Sequence, residues 1–267
     1  MSAGIDAGLM KPSEDNSDTG IAGYHKLVPV ETDRLLDMGI SQQSCQRFAA
    51  SQNISPLNLL EFFHALPYYP VVFTRQQDKT FLPCAVLGLH AGENLFVDAK
   101  GDWVPGVYHP AYIRRYPFIT QAITSDELTL QDDEIKKPIF VDEAALDRSA
   151  ESLFIANNIK TDQWKTIEAF VAEYISAERQ TLLFTKKLAA LDLLQPFDAQ
   201  IHQNKADTLR LKGLYRVNED KLNQLPSEVI RELMQSGELS RIYAHLISLE
   251  NFAKLLDVKA TKQSCKF

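Results

Sequence analysis

The sequence predicts an α+β fold, with an antiparallel β meander in its first half packed against a helical second half. Two observations carry this. Between Val71 and Val104, apolar runs alternate with short turns rich in Gly, Asp and Asn, and parallel strands would need much longer crossovers. From Asp162 onward, Trp164, Ile167, Val171, Tyr174, Ile175, Leu182, Leu188 and Leu191 recur at the three- and four-residue spacings of an amphipathic helix.

Taken in order, residues 1–20 are rich in Ser, Asp and Gly and lack a basic segment followed by an apolar one, so a disordered leader is expected rather than a secretory signal. Tyr24–Glu31 reads as a short strand, placed at a sheet edge by Pro29. Asp33–Gln52 fits no single pattern. Ser55-Pro56 offers a cap and a first-turn proline, which predicts a helix over Leu57–Leu66 burying Leu57, Leu60 and Phe63 or Ala65. Strands follow at Val71–Thr74, Phe81–Leu89, Leu95–Asp98 and Trp103-Val104, then a single helical turn after Pro110 carrying Tyr112–Tyr116. Phe118–Thr124 and Glu127–Gln131 read as a further strand pair.

At about Asp132 the composition becomes polar, with Ile139–Val141 a short apolar piece within a connecting region. The long helix is expected to run to Leu194 and to stop at Pro196. Leu209–Val217 reads as one more strand, able to return to the early sheet, and helices follow Pro226 and Gly237. The domain organisation is therefore a leader (1–20), one domain over 21–257, β-rich in 21–132 and mainly helical in 150–257, and a flexible tail over 258–267.

With 267 residues and a formal net charge of -7, the chain is long enough for a sizeable core, and the charge argues against nucleic-acid binding through bulk charge. Three widely separated cysteines form no CxxC pair, so neither a disulfide framework nor a cysteine zinc site is indicated. No apolar run reaches the ~20 residues of a membrane span; a cytoplasmic location is expected.

The familiar catalytic signatures are missing: no GxSxG elbow, Walker loop, HExxH or GxGxxG occurs. Gly88 and Gly92 fit a strand-to-strand turn. The six histidines form no pair at metal-ligand spacing, so no metal and no cofactor are expected. His245 lies beside an apolar helical stripe and reads as a hydrogen-bonded structural residue. Asp132-Asp133-Glu134 is most simply a solvated loop.

Tyr108–Phe118 is the strongest candidate site. Arg114 and Arg115 stand among Tyr108, Tyr112 and Tyr116, with His109 adjacent and Trp103 able to extend the same surface. Guanidinium groups bind carboxylate or phosphate and stack on aromatic rings, so the cluster could hold a small anionic ligand, a peptide or a protein partner. A structural alternative stands beside this one, in which the tyrosines wedge the turn into the core and the arginines pair with acids.

Five segments carry a family resemblance: Tyr69–Phe73 (Tyr-Pro-Val-Val-Phe), Leu87–Asp98 (Leu-Gly-Leu, then Gly-Glu-Asn-Leu-Phe-Val-Asp), Tyr112–Phe118 (Tyr-Ile-Arg-Arg-Tyr-Pro-Phe), Gly213–Val217 (Gly-Leu-Tyr-Arg-Val) and Ile242–Leu249 (Ile-Tyr-Ala-His-Leu-Ile-Ser-Leu). In order and spacing they resemble the bacterial SapC family, over about Tyr24 to Leu256, and not the transporter permease of the same name. The resemblance implies neighbours in a shared pathway that are similar to flavin-dependent halogenases, to cupins and to outer-membrane receptors, and a surface-layer context in one bacterial group. It implies no catalytic residues. Three functions follow: a non-catalytic binding or accessory protein acting through the Arg/aromatic segment; an enzyme of amino-acid or peptide modification using some of His90, Asp98, His109, Arg114, Arg216 and His245; and a structural surface-layer component. The apolar face of Pro226–Leu256 could close the core or pair two subunits of a homo-oligomer.

Overall fold

The structure is a computed structural model and describes residues 4–5, 21, 23–31, 33, 35–123, 126–130, 135, 137–155, 159–204 and 207–264. In chain order the elements are β1 (Gly4–Ile5), β2 (Leu27–Pro29), β3 (Gly39–Ile40), α1 (Gln42–Ser51), β4 (Ile54–Pro56), α2 (Phe62–Ala65), β5 (Val71–Arg75), β6 (Phe81–Val86), α3 (Ala111–Arg114), β7 (Phe118–Thr120), β8 (Ile139–Asp142), β9 (Leu146–Asp147), β10 (Phe154–Ile155), β11 (Ile159–Lys160), α4 (Asp162–Ala190), β12 (Leu194–Asn204), β13 (Asp207–Val217), α5 (Glu219–Asn223), α6 (Ser227–Gln235), α7 (Glu238–Ser248) and α8 (Asn251–Ser264). The α+β class holds, with antiparallel sheets early and helices late.

The main sheet runs β1-β13-β5-β6-β4, with β12 on β13. Its local antiparallel pairs are β12–β13 and β5–β6, the latter closed by Gln76 N–H on the Thr80 carbonyl (2.8 Å) and by Asp78, which accepts from Thr80 N–H (3.0 Å). The late strand β13 returns to the early sheet, pairing Leu214 with Thr74 and Tyr215 with Phe73. A second sheet, β2-β8-β7, puts the Pro29 strand at its edge, where a residue without an N–H costs least. One hydrophobic cluster fills the space between the main sheet and the helices; a smaller one surrounds Leu35, Phe118, Val141, Phe154 and Trp164. The helix α4 joins them, giving Tyr174, Phe184 and Leu188 to the first and Trp164, Val171 and Ile175 to the second. Its N-terminus is capped by Thr161, whose hydroxyl accepts from Trp164 N–H (3.3 Å).

Several expectations are corrected. Ser55-Pro56 is the strand β4, not a helix start; the helical segment begins after Asn58 with a 3-10 turn, Leu59–Glu61. It buries Phe62 and Ala65, with Leu57 buried just ahead of it, but leaves Leu60 and Phe63 about half exposed (49% and 47%), because the register set by Asn58 differs from the one Ser55 would impose. Leu95–Asp98 and Trp103-Val104 keep only the bridge Val97–Trp103. Gly88 fits a close turn there, since a Cβ would stand 1.8 Å from the Glu93 carbonyl oxygen.

Residues 127–129 form a 3-10 turn, and β7 pairs instead with β8, so the apolar piece at 139–141 is a central strand rather than part of a linker. The helix α4 ends before Pro196: Asp192 takes a left-handed conformation (φ 52°) and Leu193 N–H reaches the Leu188 carbonyl at 3.0 Å, a helix-ending pattern. Pro196 belongs to β12. The last helix runs to Ser264, past the expected start of a tail at 258. The expected leader lies outside the described residues apart from Gly4–Ile5, which pair in parallel with β13.

Candidate functional site

The candidate segment is organised by one helical turn. The Pro110 carbonyl accepts from Ile113 and Arg114 N–H (both 3.0 Å), and Arg115 N–H bonds Ala111 (2.9 Å). At about 100° per residue, Tyr112, Arg115 and Tyr116 share one face while Arg114 points elsewhere. The turn therefore divides the expected site in two.

The inner face is core. Tyr112, Arg115 and Tyr116 are 5%, 8% and 6% exposed, so they do not form the ligand- or partner-facing surface expected of them. The Arg115 guanidinium lies between the Tyr174 and Tyr112 rings, 4.3 and 4.8 Å from their centroids. Tyr116 stacks on Phe48 at 4.1 Å and donates its hydroxyl to Asp142 at 3.1 Å. Burial works against the charge of Asp142, but N–H groups of Lys26 and His25 (3.1 Å each) and the His25 ring hold its carboxyl below the usual range. These contacts tie β2, α3 and β8 together.

The outer face meets a groove of about 570 Å³ that opens broadly to solvent. Phe63, His64, Pro67 and Tyr68 form one wall, and Gly106, Val107, Tyr108, His109 and Arg114 the other. Tyr108 stacks on His64 (5.3 Å, 21°). Behind Tyr108 is Glu61, which is 5% exposed and accepts from the Tyr108 hydroxyl (2.8 Å), Ala111 N–H (2.7 Å) and Asn58 N–H (2.8 Å). Burial raises its carboxyl above the ordinary range despite these bonds. Tyr69 donates its hydroxyl to the Tyr108 carbonyl. The wall that carries the groove is thus pinned from behind by a buried carboxylate and a buried phenol.

His109 stacks on Trp103 (4.3 Å, 14°). Burial, with the Arg114 charge adding to it, takes the His109 imidazole down to about 4, so the ring is neutral near pH 7. Trp103 is half-buried and supports His109 without lining the groove. Arg114 is exposed; its Nε donates to the His109 carbonyl (2.9 Å) and its guanidinium lies 5.0 Å over the Phe170 ring.

Of the seven expected residues, then, the groove gathers Tyr108, His109 and Arg114, with Trp103 behind them. Sequence reading missed Phe63, His64 and Glu61. The signal for Glu61 is its place three residues after Asn58, the spacing of a helix cap. His90 and Asp98 fall on exposed turns, where Asp98 accepts from Lys100 and Asp102 N–H (2.8 and 3.0 Å). Arg216 lies over Phe197 at 5.2 Å. Among the described residues, no group of three or more His, Cys, Asp or Glu side chains could hold a metal ion, and no helix is long and apolar enough to cross a membrane.

A family profile described as SapC matches residues 32–255. The chain belongs to the SapC family. No curated protein and no solved structure matches it. The five segments that carry the SapC resemblance all lie inside this match, and three of them meet at one residue. His245, fully buried in α7, accepts from Val217 N–H through Nε2 (3.1 Å) and donates from Nδ1 to the Val71 carbonyl (2.8 Å). Burial takes its pKa down to about 4, which suits a neutral ring with one donor and one acceptor. The SapC segments at 69–73, 213–217 and 242–249 are thus joined by the structural histidine expected from the sequence.

Proposed function

We propose that the chain is a non-catalytic binding protein that holds an anionic ligand at Arg114, in the groove between the Phe63–Tyr68 and Gly106–His109 walls. One observation carries this reading. Among the described residues Arg114 has no carboxylate within 4 Å, and none of the groove-lining residues is acidic, although the chain has a net charge of -7. An exposed guanidinium oriented by a backbone carbonyl keeps its remaining N–H groups for an incoming carboxylate or phosphate. The neutral imidazole of His109 and the ring of Tyr108 supply flat surface and donors beside it. Of the six residues considered for an enzyme, only His109 and Arg114 line this groove, which favours binding over catalysis.

The test is calorimetric titration with three anionic probes: 3-phenylpropionate, phenyl phosphate and an acidic dodecapeptide. Arg114→Ala is expected to weaken every probe that binds by tenfold or more. Binding that is unchanged in Arg114→Ala, or no binding of any probe, would remove the assignment.

A further inference from the structure

The groove is continuous with an exposed apolar face. Leu60, Phe63 and Pro67 are spaced to lie along one side of the segment that begins at Leu59, and Leu60 and Phe63 are half exposed. Two further cations border it from other helices. Arg241 of α7 lies 5.5 Å over the Phe63 ring and donates Nη1 to the Gly237 carbonyl (2.8 Å). Lys254 of α8 donates Nζ to the carbonyl of Pro67 (3.5 Å). With Arg114, three cations from three helices are each held by a backbone carbonyl, and among the described residues none pairs with a carboxylate within 4 Å.

Several lysines elsewhere on the surface are paired with acids. Lys26, Lys160, Lys165, Lys187 and Lys221 each contact an acid within 4 Å, at Glu143, Glu168, Asp162, Glu238 and Asp192. A cluster of cations without acids, on a chain with an excess of acids, is complementary to a negative partner. The shape of the groove narrows the choice of partner. Small-molecule sites enclose 70–90% of their ligand, whereas this groove leaves one side of any occupant in water. Affinity here must come from contact along a length of chain.

We propose that this face docks an acidic segment of a partner protein, with apolar side chains seated on Leu60, Phe63 and Pro67 and carboxylates meeting Arg114, Arg241 and Lys254. This rests on the Arg114 reading above and names its ligand as a peptide. Exposed aromatic residues flanked by arginines are typical anchors for such a contact, and amphipathic segments lie in apolar grooves in this way.

The test is selection of a displayed library of random twelve-residue peptides on the full chain, with counter-selection on a Phe63→Asp, Arg241→Glu double variant. The enriched peptides are expected to combine Asp or Glu with large apolar residues, and to be lost on the double variant. A synthetic copy should bind at least tenfold more weakly at 500 mM than at 50 mM salt, as screened charge pairs require. Lys254→Glu, at an exposed position, is the second variant should the first fold poorly, and it should also weaken the synthetic peptide. Enrichment of basic or neutral peptides, enrichment that survives the substitutions, or no enrichment would each overturn the proposal. A gel-filtration dimer abolished by Phe63→Asp, with no peptide enriched, would assign the face to a second copy and overturn it too. If 3-phenylpropionate binds as tightly as the best peptide and depends on Arg114, the anionic-site reading stands and this one fails.

Discussion

Arg114 and Arg115 are neighbours of one residue type, yet they work in opposite surroundings. Both guanidinium groups lie over aromatic residues of α4, Arg114 over Phe170 and Arg115 over Tyr174, one helical turn apart. Arg114 is exposed at the rim of the groove, whereas Arg115 is sealed between two tyrosine rings. The difference comes from the 100° step of a single helical turn, not from composition. A buried guanidinium must be matched by ring faces and by the field of Glu178, whereas an exposed one stays hydrated and free to exchange water for a ligand. The same turn thus holds a structural cation and a recognition cation.

The largest expected effect breaks the inner half. Arg115→Ala should cost about 3 kcal/mol or more, because it opens a cavity between Tyr112 and Tyr174 and removes the stronger of the two cations, Arg115 and Lys137, that oppose the buried charge of Glu178. Burial already raises the Glu178 carboxyl, and Arg115 opposes that rise. Urea unfolding would measure it as a lower midpoint at constant slope. A loss under about 1 kcal/mol would show that the inner face is not a structural element, and the contrast with Arg114 would fall.

Much of the scaffold was legible before the structure because its signals are local. The α4 stripe, the single turn after Pro110, the edge position of Pro29 and the buried role of His245 each follow from spacing or from one residue's chemistry. The helix expected over Leu57–Leu66 is present from Leu59 to Ala65, but its start is displaced from Ser55-Pro56 because β4 pairs with β6, and that long-range pairing overrides local capping preferences. The strand β8 carries no local signal for a similar reason, since its partners β2 and β7 lie outside its own stretch of sequence. The groove was half legible. Arg114, His109 and Tyr108 stood out by composition, but their separation from Tyr112, Arg115 and Tyr116 depends on which side of the turn meets α4. Phe63 and His64 came from a segment whose register was misread, so the apolar wall could not be found from the sequence.

A pH titration sharpens the comparison between core and groove through two histidines. His245 and His109 both have folded pKa values of about 4, against about 6.5 when unfolded. Between those values the unfolded chain binds more protons than the native one, so stability rises with pH through this window and is lost as pH falls from about 6.5 toward 4. For His245, wholly buried, the loss should be about 3 kcal/mol; the part-exposed His109 should contribute less. The raised carboxyls of Glu61 and Glu178 act in the opposite sense. The contribution of Asp142, with its lowered pKa, disappears only on further acidification. The difference between the native chain and His245→Gln isolates the core term. His245→Gln should be less stable at pH 7 and show a flatter dependence between pH 6.5 and 4. An equally steep curve would mean that the ring joining Val71 to Val217 is not a buried neutral base.

The smallest effect tests the outer half. Arg114→Ala should change stability by no more than about 1 kcal/mol, as for a surface residue whose contacts compete with water. Its bond to the His109 carbonyl can be replaced by solvent, and exposed cation–ring contacts contribute about 0.5–1 kcal/mol at most. The same substitution lifts one of the two influences holding the His109 pKa down, so the imidazole should titrate at a higher pH in Arg114→Ala, by a margin that NMR of the ring protons would read. A chain that keeps its unfolding midpoint while His109 shifts upward would place Arg114 at the groove electrically without making it a support of the fold. Should Arg114→Ala instead cost as much as Arg115→Ala, the two arginines would be one structural pair, and the groove would lose the cation on which its recognition role depends.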